Sequence, residues 1–186
     1  ALFPSLHHGV PVLAFRPRKF DPEAAFRMMA HYGVRNLMVV PTVLRIMMNG
    51  VENPGRFGIN LRSLTAGGEA MDDPLQDWSL RTFGVPINEQ YGQTECDLVI
   101  GDCAAVMDIC RGSIGKTVPG HTVEIIDESG RVLEDGSLGE IAVRRPDPVM
   151  FLEYWKNPEA TRGKFAGDWM RTGDYAKKDD RCRVWF

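Results

Sequence analysis

The sequence contains no uninterrupted apolar run near the roughly 20 residues that a bilayer-spanning helix needs. Its first residues, Ala-Leu-Phe-Pro-Ser-Leu-His-His, have neither the charged nor the apolar region of a secretory signal, so a cytoplasmic setting with no transmembrane segment is expected. It has no excess of positive charge. With 22 Lys and Arg against 25 Asp and Glu, the net charge is −3, which gives no broad basic field for a nucleic-acid backbone. Cysteine is sparse: Cys96, Cys103, Cys110 and Cys182 include no Cys-x-x-Cys pair, and the even steps between the first three match no common zinc spacing. Reduced structural thiols are expected. His7, His8, His31 and His121 are scattered and enter no metal-ligand pattern. Repeats, low-complexity tracts and polar linkers are absent as well.

What is present is an ordinary globular composition, 44% hydrophobic and 25% charged over 186 residues. At roughly 150 residues per domain, that length allows one domain or one and a part. The start at Ala1 and the end inside the apolar run Arg-Val-Trp-Phe both read as cuts through an element, so a fragment is expected.

Up to about residue 110 the pattern alternates short apolar runs with amphipathic stretches, the mark of parallel strands joined by crossover helices. Val10 to Phe15 reads as a buried strand. Asp21-Pro22-Glu23 supplies an N-cap, a first-turn proline and an acidic residue at the positive helix end, with Phe26, Met29 and Ala30 on the apolar face and Gly33 as the stop. Strands are expected at Val34 to Val40, Leu61 to Thr65 and Val85 to Glu89. Between them, helices are expected from Pro41-Thr42 through Leu44, Ile46 and Met47, and from Asp72-Asp73-Pro74 through Leu75, Trp78, Leu80 and Phe83. From residue 111 the period shortens to two, with turns at Glu128-Ser129-Gly130 and a short helix from Asn157-Pro158-Glu159. The expectation is an α/β fold: a partial parallel sheet with crossover helices in residues 1–110, then a β-rich, barrel-like subdomain in 111–186, both parts of one larger domain.

Three glycine-bearing segments suit a phosphorylated ligand: Gly67-Gly68-Glu69, Glu89-Gln90-Tyr91-Gly92-Gln93-Thr94-Glu95 and Arg171-Thr172-Gly173-Asp174. The first two fall near the carboxyl ends of expected parallel strands, where open α/β sheets place ligands. Tyr91 offers a flat face to a base, Gly92 lets a ligand approach the backbone, and Thr94 offers a hydroxyl to a phosphate oxygen. Glu95 is a hard oxygen ligand suited to Mg2+, and Asp174 can accept from two ribose hydroxyls. Each also has a plain structural reading: a strand end at Gly67-Gly68, a core plug at Tyr91, a hairpin turn at Thr172-Gly173-Asp174.

In this order and spacing, together with Pro41-Thr42-Val43-Leu44-Arg45, Gly115-Lys116-Thr117-Val118-Pro119-Gly120, Gly139-Glu140-Ile141 and Gly167-Asp168-Trp169, these segments resemble the AMP-forming acyl-CoA synthetases. That family lies within the superfamily of acyl-CoA synthetases, adenylation domains and luciferases. The resemblance implies activation of a carboxylic acid by ATP as an acyl-AMP, then transfer to coenzyme A. It places Gly68, Glu69 and Ala70 beside the adenine, Tyr91 against its face, Thr94 at the α-phosphate, Glu95 on Mg2+ and Asp174 on the ribose. Glu89, Gln90, Tyr91, Gly92 and Gln93 would line the crevice shared by nucleotide and acyl group. Thr94 and Glu95 are thereby the catalytic candidates. Gly92, where acetate-restricted relatives resemble one another in carrying a tryptophan, implies an acid longer than acetate.

The family's Ser/Thr/Gly-rich phosphate loop and its lysine-bearing domain after the hinge are not in this sequence, which is expected to need those missing N- and C-terminal segments of a parent enzyme. Where relatives show Asp-Gly before the last strand, this chain has Arg181-Cys182. Two alternatives stay open: an adenylation domain that hands its acyl group to a carrier protein, and a non-catalytic nucleotide-binding remnant.

Overall fold

The computed structural model describes residues 2–15 and 17–186, with the side chains described from residue 4 onward. The chain forms two compact units. Residues up to Thr65 with Pro74–Ile87 make the first, and Ala66–Asp73 with Asn88–Phe186 make the second.

In the first unit a short helix α1 (Leu2–His7) precedes α2 (Pro22–His31), which starts as its sequence dictates. Asp21 Oδ1 accepts from the backbone N–H of Glu23 at 2.9 Å and of Ala24 at 3.3 Å, with Pro22 at the first helical position. Ala25, Phe26 and Met29 form the buried face, so Ala25 and not the exposed Ala30 completes it. Gly33, at φ +59, turns the chain out of the helix toward β1 (Asn36–Met38). α3 (Pro41–Gly50) buries Pro41, Leu44 and Met47, whereas Ile46 is exposed. A 3-10 turn (Pro54–Phe57) leads to β2 (Ser63–Gly67), which pairs parallel with β1 from Asn36↔Ser63 to Met38↔Thr65. α4 (Asp73–Phe83) buries Leu75, Trp78 and Phe83, while Leu80 stays exposed. Phe26 stacks on Phe57 and Phe83, with centroids 5.3 and 6.0 Å apart, which ties α2 to both later elements. The buried Gln76 side chain acts as a surrogate strand for Ile87: Nε2 donates to its carbonyl at 2.9 Å and Oε1 accepts its N–H at 3.0 Å.

The expected buried strand at Val10 to Phe15 is not formed. This stretch has no regular secondary structure, and Val10, Val12, Leu13 and Phe15 are exposed. An apolar run becomes a strand only beside a partner ladder, and none lies there among the described residues.

The second unit is an antiparallel sheet. Its strands are β3 (Ile87–Gln93, which begins on the last residue of the first unit), β4 (Asp97–Gly101), β5 (Ser113–Thr117), β6 (Val123–Ile126), β7 (Gly139–Arg144), β8 (Phe165–Ala166), β9 (Trp169–Lys178) and β10 (Arg183–Trp185). The order in space is β3-β4-β5-β10-β9-β7-β6, with β8 on β9. Among the described residues no pairing joins β6 back to β3, so this β-rich half is an open sheet and not the barrel-like body expected. Tyr91, Cys96, Val99, Ile100, Ile125, Ile141, Val143, Met170 and Val184 are among the side chains of its core. Asp127 Oδ1 collects Ser129 N–H, Ser129 O–H and Arg131 N–H, which closes the turn foreseen around Gly130. Helix α5 (Pro158–Gly163) starts on Asn157, whose Oδ1 accepts from Ala160 N–H at 3.1 Å.

Candidate active site

The expected strand end at Glu89 is overrun, because β3 continues through Gln93 and turns back into β4. Gln93 pairs with Asp97 across a loop of Thr94, Glu95 and Cys96, and Asp97 stands at φ +52. That is a three-residue hairpin loop followed by a left-handed residue at the start of β4. Cys96, fully buried, plugs the core beneath it, while Thr94 is exposed and Glu95 half-buried at the tip. The register slips between Tyr91 and Gly92, and a Cβ on Gly92 would fall on the Asp97 carbonyl. The hairpin itself therefore demands glycine at 92, whatever ligand lies nearby.

The Thr172-Gly173-Asp174 segment is not a hairpin turn but a bulge inside β9. Arg171 pairs with Ala142 and Tyr175 with Glu140, so three residues of β9, Thr172, Gly173 and Asp174, stand against Ile141 alone on β7. Gly173, at φ +88, supplies the conformation that only glycine adopts freely. The bulge is held by Glu140, which is 4% exposed: its carboxylate accepts from Gly173 N–H at 2.8 Å and from Arg171 Nε at 2.7 Å. Thr172 Oγ1 donates to Ile141 O at 2.7 Å and accepts from Asp174 N–H at 3.2 Å.

So anchored, Asp174 meets the hairpin. Its Oδ2 accepts from the Tyr91 hydroxyl at 2.7 Å and from Gln93 Nε2 at 2.8 Å, and the same amide donates to Thr172 O at 2.9 Å. Asp174 Oδ1 takes part in neither bond. The Tyr91 ring is buried in the core, edge-on to Phe186 at 5.8 Å, and burial first of all holds its hydroxyl well above its ordinary pKa. Tyr91 is thus both the core plug and the orienting donor for Asp174.

Glu95 has a partner that the sequence did not reveal. Tyr154, on the strap between β7 and α5, donates its hydroxyl to Glu95 Oε1 at 2.6 Å, and Phe151 N–H donates to Glu95 O at 2.8 Å. The Tyr154 bond holds the Glu95 carboxyl below its ordinary value and pushes the tyrosine up to about 12. With Thr94, the tip offers a hydroxyl and a carboxylate, an all-oxygen donor set that fits Mg2+. Lys164, also missed, donates to Thr172 O at 3.3 Å and adds positive charge beside Glu95.

The third segment lies on the neighbouring stretch of β3. A Cβ on Gly67 would strike the Gln90 carbonyl, so glycine lets this loop cross against the strand. Met71 N–H donates to the Glu89 carboxylate and pins the loop, leaving Gly68, Glu69 and Ala70 exposed. Glu89 stands opposite Asp102, whose N–H donates to Glu89 O at 2.8 Å. Burial, and then the Asp102 charge, push Glu89 up to about 7, and burial pushes Asp102 up to about 6. Gln90 Oε1 and Asp102 Oδ2 are buried acceptors without a hydrogen-bond partner among the described residues.

Residues 1–155 match the family described as AMP-binding enzyme. The chain belongs to this AMP-binding enzyme family. It is 36% identical over 169 residues to an uncharacterized acyl-CoA ligase, YtcI, of Bacillus subtilis, covering 90% of this chain and 32% of that protein. It is 34% identical over 191 residues to the mitochondrial acyl-coenzyme A synthetase ACSM5 of Rattus norvegicus, covering 100% of this chain and 32% of the relative. Among solved structures, an acyl-CoA synthetase of Brucella canis superposes with a TM-score of 0.87 at 26% identity, over 98% of this chain and 34% of that one. This AMP-binding chain therefore spans about a third of the length of the curated relatives it matches. Asp174 and its bulge lie beyond the residues matched to the family but inside the alignment to the rat protein.

Proposed function

We propose that this chain supplies the nucleotide-holding face of an ATP-dependent acyl-CoA synthetase, which activates a carboxylic acid as acyl-AMP and passes it to coenzyme A. The observation that carries the reading is the convergence of Tyr91, Gln93 and Asp174 beside the Thr94-Glu95 tip, in a member of the AMP-binding family. In this reading the acid's carboxylate oxygen bonds to the α-phosphorus of ATP and pyrophosphate leaves. The coenzyme A thiol then attacks the acyl carbon, and AMP leaves.

Such a site works mainly by positioning and by meeting charge on the phosphate oxygens. Two donors fix Asp174 and leave its Oδ1 for ribose hydroxyls. Gly68, Glu69 and Ala70 lie along β3 where an adenine would border Glu89 and Gln90, and Thr94 offers its hydroxyl to the α-phosphate. Glu95, with Thr94, would hold Mg2+, which when bound supplies positive charge against the phosphate oxygens. The four free thiols go with a reducing, cytoplasmic setting.

An acid longer than acetate is part of the proposal on the strength of the family resemblance at Gly92 alone, since the hairpin demands glycine there in any case. A Gly92→Trp variant does not test it, since the new side chain would displace the Asp97 carbonyl before it filled any acyl pocket. The test is acid-dependent exchange of labelled pyrophosphate into ATP, with acetate compared against longer acids, on the longest gene product that carries this sequence. Exchange that rises with the longer acids supports the reading, and no exchange with any acid refutes it. A product released only onto a carrier protein, and never onto coenzyme A, would point to the adenylation-domain alternative.

A further inference from the structure

We infer that Tyr154 is a positioning residue for the metal site: its hydroxyl fixes the Glu95 carboxylate so that Oε2 is presented to the cation. This inference rests on the metal-binding reading of Glu95.

Three features carry it. The Tyr154 hydroxyl donates to Oε1 alone, at 2.6 Å, so one carboxylate oxygen is committed and rotation about the carboxyl bond is opposed. Phe151 N–H fixes the backbone of the same residue through Glu95 O at 2.8 Å, so the strap grips the hairpin tip at two points. The strap is itself braced: Tyr154 N–H donates to Thr161 Oγ1 at 3.0 Å, that hydroxyl donates to Asn157 O at 3.0 Å, and the Tyr154 ring lies 4.8 Å from Phe151. Glu95 sits on a three-residue loop, where apart from Tyr154 its own backbone N–H is what bonds to the carboxylate among the described residues. A donor on the oxygen turned away from the metal is the arrangement by which outer partners orient ligating groups, and loss of such a partner typically weakens metal affinity about 10- to 100-fold.

The test is a Mn2+ titration, followed by electron paramagnetic resonance of the free ion, on the longest gene product with a non-hydrolysable ATP analogue bound. Tyr154→Phe keeps the ring against Phe151 and removes only the hydroxyl. We expect its Mn2+ affinity to fall about 10-fold, Glu95→Gln to fall at least as far, and the double variant to be no weaker than Glu95→Gln alone. Unchanged Mn2+ affinity in Tyr154→Phe, with Glu95→Gln impaired, overturns the positioning role and leaves the metal reading standing. Unchanged affinity in Glu95→Gln overturns both. Should Tyr154→Phe lose its fold by circular dichroism, Thr161→Val, which removes the brace behind the strap, carries the same expectation of weakened Mn2+ binding.

Discussion

Cys182 shows how much a single backbone position can cost. It ends the turn between β9 and β10 at φ +60, a left-handed conformation that disfavours any side chain with a Cβ. The sequence, with Arg181-Cys182 where a glycine would be expected, makes the turn look hard to form, yet Asp179 forms it. Its carboxylate accepts from Arg181 N–H at 3.0 Å, Arg183 N–H at 2.8 Å and Trp185 Nε1 at 2.9 Å. The strain is therefore offset locally and not removed. Cys182→Gly is expected to stabilise the protein by about 1 kcal/mol, read as a higher urea midpoint, because glycine adopts this conformation without the Cβ penalty. A lower midpoint would show that the Cys182 side chain makes a contact worth more than the strain.

At the scale of elements, the β3–β4 pair carries a pH dependence of its own. Glu89 and Asp102 face each other across the ladder and are both nearly buried. Among the described residues, the charged group besides this pair that bears on it is Arg183 of β10, which acts on Asp102; Met71 of the crossing loop contributes its N–H. Burial and the Asp102 charge raise Glu89 from an ordinary 4.5 to about 7. Between those values the folded state holds the proton more tightly than the unfolded chain does. The resulting stability is fully present below pH 4.5 and is lost as pH rises through about 7. The loss is expected to be on the order of 2–3 kcal/mol between pH 5 and pH 8. Urea midpoints at the two pH values should converge in Glu89→Gln relative to the native protein, and an equal drop in both would contradict this origin.

The same elements show what was legible in the sequence. Helix starts at Asp21-Pro22-Glu23 and Asn157-Pro158-Glu159 were readable because capping is local chemistry. The apolar run at Val10 to Phe15 forms no strand because strand formation depends on a neighbour, which local pattern does not supply. The β-rich character of the second half was visible in its period of two, but whether such a sheet closes depends on long-range pairing. At the site, motif spacing picked out the Tyr91 to Glu95 and Thr172 to Asp174 segments, but not the conformations they adopt. That Gly173 sits in a bulge pinned by Glu140, or that Glu95 is held by Tyr154 from 59 residues away, becomes visible only in three dimensions.

For the whole molecule, the proposal is that a chain about a third the length of its relatives carries, within its second unit, the residues for the ribose and metal ends of a nucleotide site. No helix among the described residues is long and apolar enough to cross a membrane. The most direct measurement is an AMP titration by calorimetry on the longest gene product, native against Asp174→Ala. The bulge stays braced by Glu140 and Thr172 in that variant, so the fold should be kept while the proposed ribose acceptor is lost. Saturable AMP binding is expected to weaken at least about 10-fold in the variant, since loss of a charged hydrogen-bond acceptor costs roughly 1.5–3 kcal/mol. Equal AMP affinity in the two proteins would contradict it.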